Sequence, residues 1–235
     1  MKEHIVNLDI SRRSSIRGKM DSIVRIYKKF GFITMLHKIY IQLYFCVNKI
    51  DFSPVSIQTL DVIGANQKEG VTYVNASWEI LIEIISNLKK INKDILEGSF
   101  VDFGSGKGGI IIQAKKLGFT DVIGIEFAKE LCLISKSNIK KILKTDAAIT
   151  IINDDAQNYI PPKKTRLIFL YNPFSKKIME PVIENIVNVN YSDDVFILYV
   201  NPVLDKMFIA NSKIVIFDKI VATTGDIVHI YKITK

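Results

Sequence analysis

The stretch Val101-Asp-Phe-Gly-Ser-Gly-Lys-Gly-Gly109 constrains this chain more than any other. An apolar run, Ile95 to Phe103, leads into it and reads as a short buried strand. Four glycines then crowd a turn, and Ile110, Ile111, Ile112 and Ala114 open a helix. A strand, a glycine turn and a helix in that order form an elbow that faces a ligand. Glycine allows positive φ and close backbone approach, and a helix start offers unpaired N–H groups.

Two ligands compete for such an elbow. Gly104, Gly106 and Gly109 fit the spacing of a dinucleotide-binding turn, and Glu126 follows at about the distance of an acid that binds a ribose. That reading makes the chain an NAD-dependent oxidoreductase. Asp102 weighs against it. A carboxylate two residues before the first glycine repels a pyrophosphate and attracts an ammonium group. S-adenosyl-L-methionine carries an ammonium, a ribose and a sulfonium, and no phosphate, so it is the preferred ligand.

The 235 residues suffice for one sizeable α/β domain and an appendage. The net charge of +8 is unevenly placed: residues 1–50 hold ten basic and three acidic side chains, and the remainder is nearly neutral. A basic segment of this kind points to an anionic partner, either nucleic acid or a membrane surface. Arg12, Arg13, Arg17 and Lys19 make residues 1–20 a basic arm. From Asp21 to Ile50, apolar residues at Ile26, Phe30, Ile33, Leu36, Tyr40, Leu43 and Val47 recur at helical spacing. The simplest expectation is one or two amphipathic helices, joined at Gly31, that bury this stripe on the main domain and show a basic face to water.

The domains are expected at residues 1–70 and 71–235. Cys46 and Cys132 fall in apolar helical patterns and are expected to be reduced and buried. His4, His37 and His229 are scattered, which indicates no metal site. The first twenty residues lack the apolar core of a secretory signal, and no apolar run reaches membrane-spanning length; the expected location is cytoplasmic, with a peripheral membrane contact left open.

A helix is expected around Trp78 to Lys90, with Asn75 as its N-cap. Beyond the elbow, strands are expected at Val122–Glu126, Ala148–Ile152, Leu167–Tyr171 and Val195–Val200, with helices at Phe127–Leu143 and Ile178–Val189 between them. A short helix leads to Ser212–Val221 and Ile227–Ile233, which are too close for a crossover and form an antiparallel hairpin. Alternating units of this kind make a doubly wound, mostly parallel sheet with helices on both faces.

From about Tyr73 onward the chain resembles class I S-adenosylmethionine-dependent methyltransferases. The likeness rests on Asp102-Phe-Gly-Ser-Gly-Lys-Gly, on Glu126 closing the second strand, on Asp155-Ala156 after the third, on Asn172-Pro-Phe after the fourth, and on the hairpin. It implies a seven-stranded sheet of order 3-2-1-4-5-7-6 whose last strand is antiparallel. It also implies that Asp102, Gly104, Ser105 and Gly106 hold the methionine end of the cofactor, and that Glu126 accepts both ribose hydroxyls. Phe127 would cover the adenine, Asp155 (or its neighbour Asp154) would accept from the adenine amine beside Ala156, and Tyr73 would cap the site.

Tyr171-Asn172-Pro173-Phe174 is similar to the Asn-Pro-Pro-Phe/Tyr signature of enzymes that methylate nitrogen, with one proline where that signature has two. Asn172, Pro173 and Phe174 are therefore the implied catalytic residues, and Asn201-Pro202 repeats the Asn-Pro pair. The acceptor stays open among a protein amine, nucleic acid and a small or lipid-linked molecule. A non-catalytic binding module of the same fold is the alternative.

Overall fold

The computed structural model describes residues 32, 36, 39–56, 60, 76 and 78–234. It divides into two compact units, Met1–Pro54 and Val55–Lys235. The expected boundary near residue 70, the basic arm, Asn75 and Tyr73 lie outside the described residues.

In the first unit, residues 32, 36 and 39–47 are helical. The helix stops in a left-handed cap: Lys49 has φ 52°, the Lys49 amide donates to Cys46 O (3.1 Å), and the Ile50 amide reaches back to Phe45 O (2.8 Å). Ile50 is buried, and Phe52 packs edge-on against Phe45 at 5.4 Å. This paired hydrogen-bond pattern with an apolar clasp satisfies the last carbonyls of a helix. The expectation that its stripe is a buried face is corrected here. Leu36, Tyr40, Leu43 and Val47 are all exposed, and so is Cys46. Helical spacing reveals which side is apolar and is silent about what covers it.

The second unit is built on one seven-stranded sheet of order β3-β2-β1-β4-β5-β7-β6. Its elements run α1 (Trp78–Ile91), β1 (Ser99–Phe103), α2 (Gly109–Leu117), β2 (Asp121–Glu126), α3 (Lys129–Leu143), β3 (Ile149–Asn153), β4 (Thr165–Tyr171), α4 (Lys176–Val187), β5 (Phe196–Val200), α5 (Asp205–Ile209), β6 (Ile214–Val221) and β7 (Ile227–Ile233). Strands β1 to β5 pair in parallel, and β7 enters antiparallel between β5 and β6. The expected architecture is therefore the observed one. Most strand starts lie within two residues of the expected ones, but β1 begins at Ser99 rather than Ile95, because residues 92–98 turn and Gly98 lies where a Cβ would sit 2.2 Å from Lys164 O.

Each face of the sheet buries apolar side chains, as expected when helices cover both sides. Val101, Phe103, Ile123, Ile125, Ile168 and Leu170 form one core with Ile178, Val182 and Ile186 of α4. Strand alternation sends Phe100 and Phe169 to the other face, where Phe100 meets Phe119 at 5.2 Å; Ile80, Leu81, Ile84, Ile85 and Leu88 of α1 are buried as well. Asp102 shares that second face, and the register sets it opposite Gly124, two residues before Glu126.

The glycine elbow follows β1 directly. Gly104, Gly106 and Gly108 have φ of 81°, 52° and 81°, in the region that other residues enter at a cost. Gly108 also has no room for a side chain, since a Cβ there would lie 2.3 Å from Ser135 Oγ on α3. Replacing Gly108 by alanine is therefore expected to lower stability by about 2–4 kcal/mol, from backbone strain and overpacking together. Ser135→Ala is the control. The Ser135 hydroxyl is buried with no hydrogen-bond partner among the described residues, so removing it should change stability little. Urea unfolding of the two variants checks both statements.

Candidate functional site

The parallel strands end on one edge, and that edge gathers the candidate residues. Glu126 closes β2 with its side chain buried. Its Oε2 accepts from the Gly106 amide and its Oε1 from the Ala128 amide, both at 2.9 Å. The amides of Gly104 and Ser105 both donate to Ile125 O, at 2.9 and 3.0 Å. The elbow is thus stitched over the end of β2, with Glu126 pinning its centre. Because the Gly104 and Gly106 amides are used inside the protein, these glycines offer a ligand room and carbonyl oxygens rather than N–H groups.

Ser105 is buried beside this turn. Gly124 leaves it space, since a Cβ at Gly124 would lie 2.7 Å from Ser105 Oγ. The Ser105 hydroxyl has no hydrogen-bond partner among the described residues. Lys107, also in the elbow, is fully buried, and its carbonyl accepts from Asn138 Nδ2 at 3.1 Å.

Asp102 and Glu126 place two carboxylates in one dry location. Burial raises the Asp102 carboxyl well above its ordinary range, and the like charge of Glu126 adds to that. Burial likewise pushes Glu126 up from 4.5 to about 7, against the backbone hydrogen bonds that lower it. Neither carboxylate forms an ion pair among the described residues. Two buried acids without a cation are costly when ionised, and a ligand that brings a positive charge and hydroxyl donors removes that cost. Each Glu126 oxygen keeps a second lone pair for such donors.

After β3, Asp155 caps a short 3-10 turn, Ala156–Asn158: its carboxylate accepts from the Gln157 amide and from Gln157 Nε2, both at 3.1 Å. Asp154 accepts from the Asp155 amide at 2.7 Å and from Asn158 Nδ2 at 3.0 Å. Both expected acceptors are thus engaged locally, and Asp155 and Ala156 are the buried members of the group. Phe127 is half-buried, and Asn153 Nδ2 ties its carbonyl down at 3.1 Å.

The Asn172-Pro-Phe segment reaches the elbow itself: a Cβ on Gly104 would lie 2.9 Å from Pro173 Cβ and 3.9 Å from Phe174. Asn172 has φ 41°, a left-handed position that asparagine tolerates better than most residues. Its Oδ1 accepts from the Tyr199 hydroxyl at 3.2 Å. Phe174 packs its ring against the core.

Sequence reasoning missed Tyr199 and the network behind it. Asn201, with φ 50°, ends β5 as Asn172 follows β4. Its Nδ2 donates to Asp226 Oδ1 at 2.8 Å, the Tyr171 hydroxyl donates to the same oxygen at 3.2 Å, and Thr224 donates to Asp226 Oδ2 at 2.7 Å. The repeated Asn-Pro pair was the available signal; its hydrogen-bonding partners lie 25 and more residues away and leave no local pattern. Asp205 takes hydrogen bonds from Tyr231 and His229, at the rear of the same strand ends. Among the described residues no group of acids, histidines and cysteines could hold a metal ion.

A pH dependence follows from Glu126. Its carboxyl is raised on folding, so the folded chain holds that proton more tightly than the unfolded chain. The resulting stability is present below about pH 4.5 and is lost as pH rises to about 7. The ligand-free protein should therefore lose on the order of 3 kcal/mol over that window from this group. Thermal unfolding across the window checks it, and in Glu126→Gln the slope should flatten.

No family model matches the chain, and no curated protein does. Among solved structures, it is similar to the Escherichia coli protein yhhF, described as a candidate methyltransferase: 17% identity, 74% of this chain and 91% of that one covered, TM-score 0.54. It is also similar to a Haemophilus influenzae protein described as a candidate methylase: 16% identity, 67% and 99% covered, TM-score 0.52. At these identities the likeness is one of fold, and the strand order agrees with it: the second unit has the Rossmann-like fold of methyltransferases, in which an antiparallel strand separates β5 from the edge.

Proposed function

We propose that this chain transfers a methyl group from S-adenosyl-L-methionine to a nitrogen acceptor held beside Asn172. The observation that carries the reading is the Asp102–Glu126 pair: two buried carboxylates, with no cation paired to them among the described residues, under a glycine elbow at the carboxyl ends of parallel strands. That donor set fits an ammonium and a ribose and repels a pyrophosphate. When bound, the cofactor supplies an electrophilic methyl group on a positively charged sulfur.

In this reading Asp102 accepts from the ammonium, and Glu126, fixed by Gly106 and Ala128, accepts from the ribose hydroxyls. Ser105 has a spare hydroxyl next to the elbow. Phe127 and Ala156 border the adenine, with Asp155 at its amine, and Tyr73 is assigned to the cover of the site by the family resemblance alone. Methyl transfer needs in-line placement more than it needs a strong base, because a neutral amine is already nucleophilic. Asn172 Oδ1 can accept from such an amine with the lone pair that Tyr199 leaves free, and Pro173 fixes the backbone around it.

One observation favours the alternative of a non-catalytic module. Tyr199 already holds Asn172 Oδ1, and Phe174 packs on the core, so the segment also serves as a strand end. A lysate given tritiated cofactor and then fractionated into protein, nucleic acid and lipid decides between them and names the acceptor class. Label transfer is expected to fall about a hundredfold or more in Asn172→Ala with cofactor affinity kept. Asp102→Ala and Glu126→Ala should weaken cofactor binding at least about tenfold by calorimetry, and NAD should not bind. Full transfer in Asn172→Ala would return that segment to a purely structural role.

A further inference from the structure

The helix of the first unit carries an apolar face that the fold leaves to solvent. Phe32, Leu36, Tyr40, Leu43 and Val47 are between 48% and 80% exposed. At about 100° per residue they all fall within an arc of about 80°. The helix is two-sided: Ile41, Tyr44 and Phe45 on its other side are half-buried. Residues 39–47 contain no charged side chain, so the exposed stripe has no acid or base interrupting it there.

The segment that carries this stripe has a net positive charge. The first fifty residues carry ten basic and three acidic side chains, eight of the basic ones before Phe30. A second copy of this chain would bring the same excess against itself and be repelled. A nucleic acid would be attracted by the charge, yet it needs cations and stacking platforms at the contact, and residues 39–47 present aliphatic and aromatic side chains without a cation. An anionic bilayer satisfies both halves: apolar side chains enter the boundary of headgroups and acyl chains while the basic residues stay at the phosphate level. None of the described helices is long and apolar enough to cross a membrane.

We infer that the helical residues 32, 36 and 39–47 dock this protein on an anionic lipid surface, lying in the interface with Phe32, Leu36, Tyr40, Leu43 and Val47 inserted. Docking is independent of the methyl-transfer reading, since it needs neither donor nor acceptor.

The full-length chain, without cofactor, is mixed with vesicles of phosphatidylcholine alone or with phosphatidylglycerol added, and bound protein is measured by sedimentation. Binding is expected only with the anionic lipid, and Leu36→Glu/Leu43→Glu should weaken it about tenfold or more. Both side chains are exposed, so the double variant should keep the wild-type unfolding midpoint. Cys46 gives a second readout, because it is exposed while Cys132 is buried. An environment-sensitive dye on Cys46 should shift to the blue with anionic vesicles and stay unchanged with an RNA oligonucleotide. Vesicle binding that is absent, or equally strong in the double variant, overturns the inference. So does a dye that responds to RNA alone, or a wild-type dimer that the double variant abolishes.

Discussion

Both oxygens of one buried carboxylate, Glu126, accept main-chain hydrogen bonds: one from Gly106 in the elbow, the other from Ala128 at the start of α3. This single side chain links the first two β–α units of the sheet. Its position is set before any ligand arrives, so binding need not order it. The cost is electrostatic. The backbone hydrogen bonds favour the ionised form, but burial outweighs them and pushes the carboxyl up to about 7, and its charge in turn raises Asp102. A site of this kind is held in geometry and has no cation paired to it among the described residues, and that combination selects ligands by charge more sharply than shape alone would.

The elbow makes the arrangement possible because glycine does two different things within it. At Gly106 and Gly108 it provides positive φ, and at Gly108 it also makes way for Ser135. Gly124, outside the elbow, makes way for Ser105. The face of β1 and β2 that carries Asp102 and Glu126 is therefore small at its middle position and acidic around it, while Val101, Phe103, Ile123 and Ile125 on the opposite face join the apolar core. One sheet face supports chemistry because the other supplies the packing.

Much of this was legible in the chain. Glycine clustering located the elbow, the alternation of apolar runs gave the sheet and its helices, and the gap of five residues between the last two runs excluded a crossover and forced a hairpin. These features are local, and local patterns survive in a sequence. The start of β1 was misread because Ile95 and Leu96 are apolar for a reason other than strand pairing: they lie in a turn, where Ile95 is buried. Asp155 could be read as a cap or as a ligand acceptor, and the geometry shows the cap while leaving it buried beside Ala156. The hydrogen bond between Tyr199 and Asn172 spans 27 residues and depends on β4 and β5 being neighbours, so no spacing rule could announce it. The exposed stripe in the first unit was misjudged for a related reason. Periodicity specifies an apolar side, and only the packed structure reveals whether protein covers it.

The hairpin explains how the other side of the edge is built. By entering antiparallel beside β5, β7 brings its first residues to the end where β4 and β5 stop, and Asp226 arrives there between Tyr171 and Asn201. A parallel strand in that place would bring its last residues instead. The half of the edge formed by β1 and β2 is acidic and glycine-rich; in the half formed by β4, β5 and the hairpin turn, amide and hydroxyl groups donate to the Asp226 carboxylate. The halves meet where Gly104 faces Pro173, with no space for a side chain at position 104. Gly104 is thus constrained twice, by its backbone angle and by its neighbour. A larger residue there would move the Asn172 segment away from the carboxylates, so the elbow glycine sets the distance between the two halves as well as the shape of one.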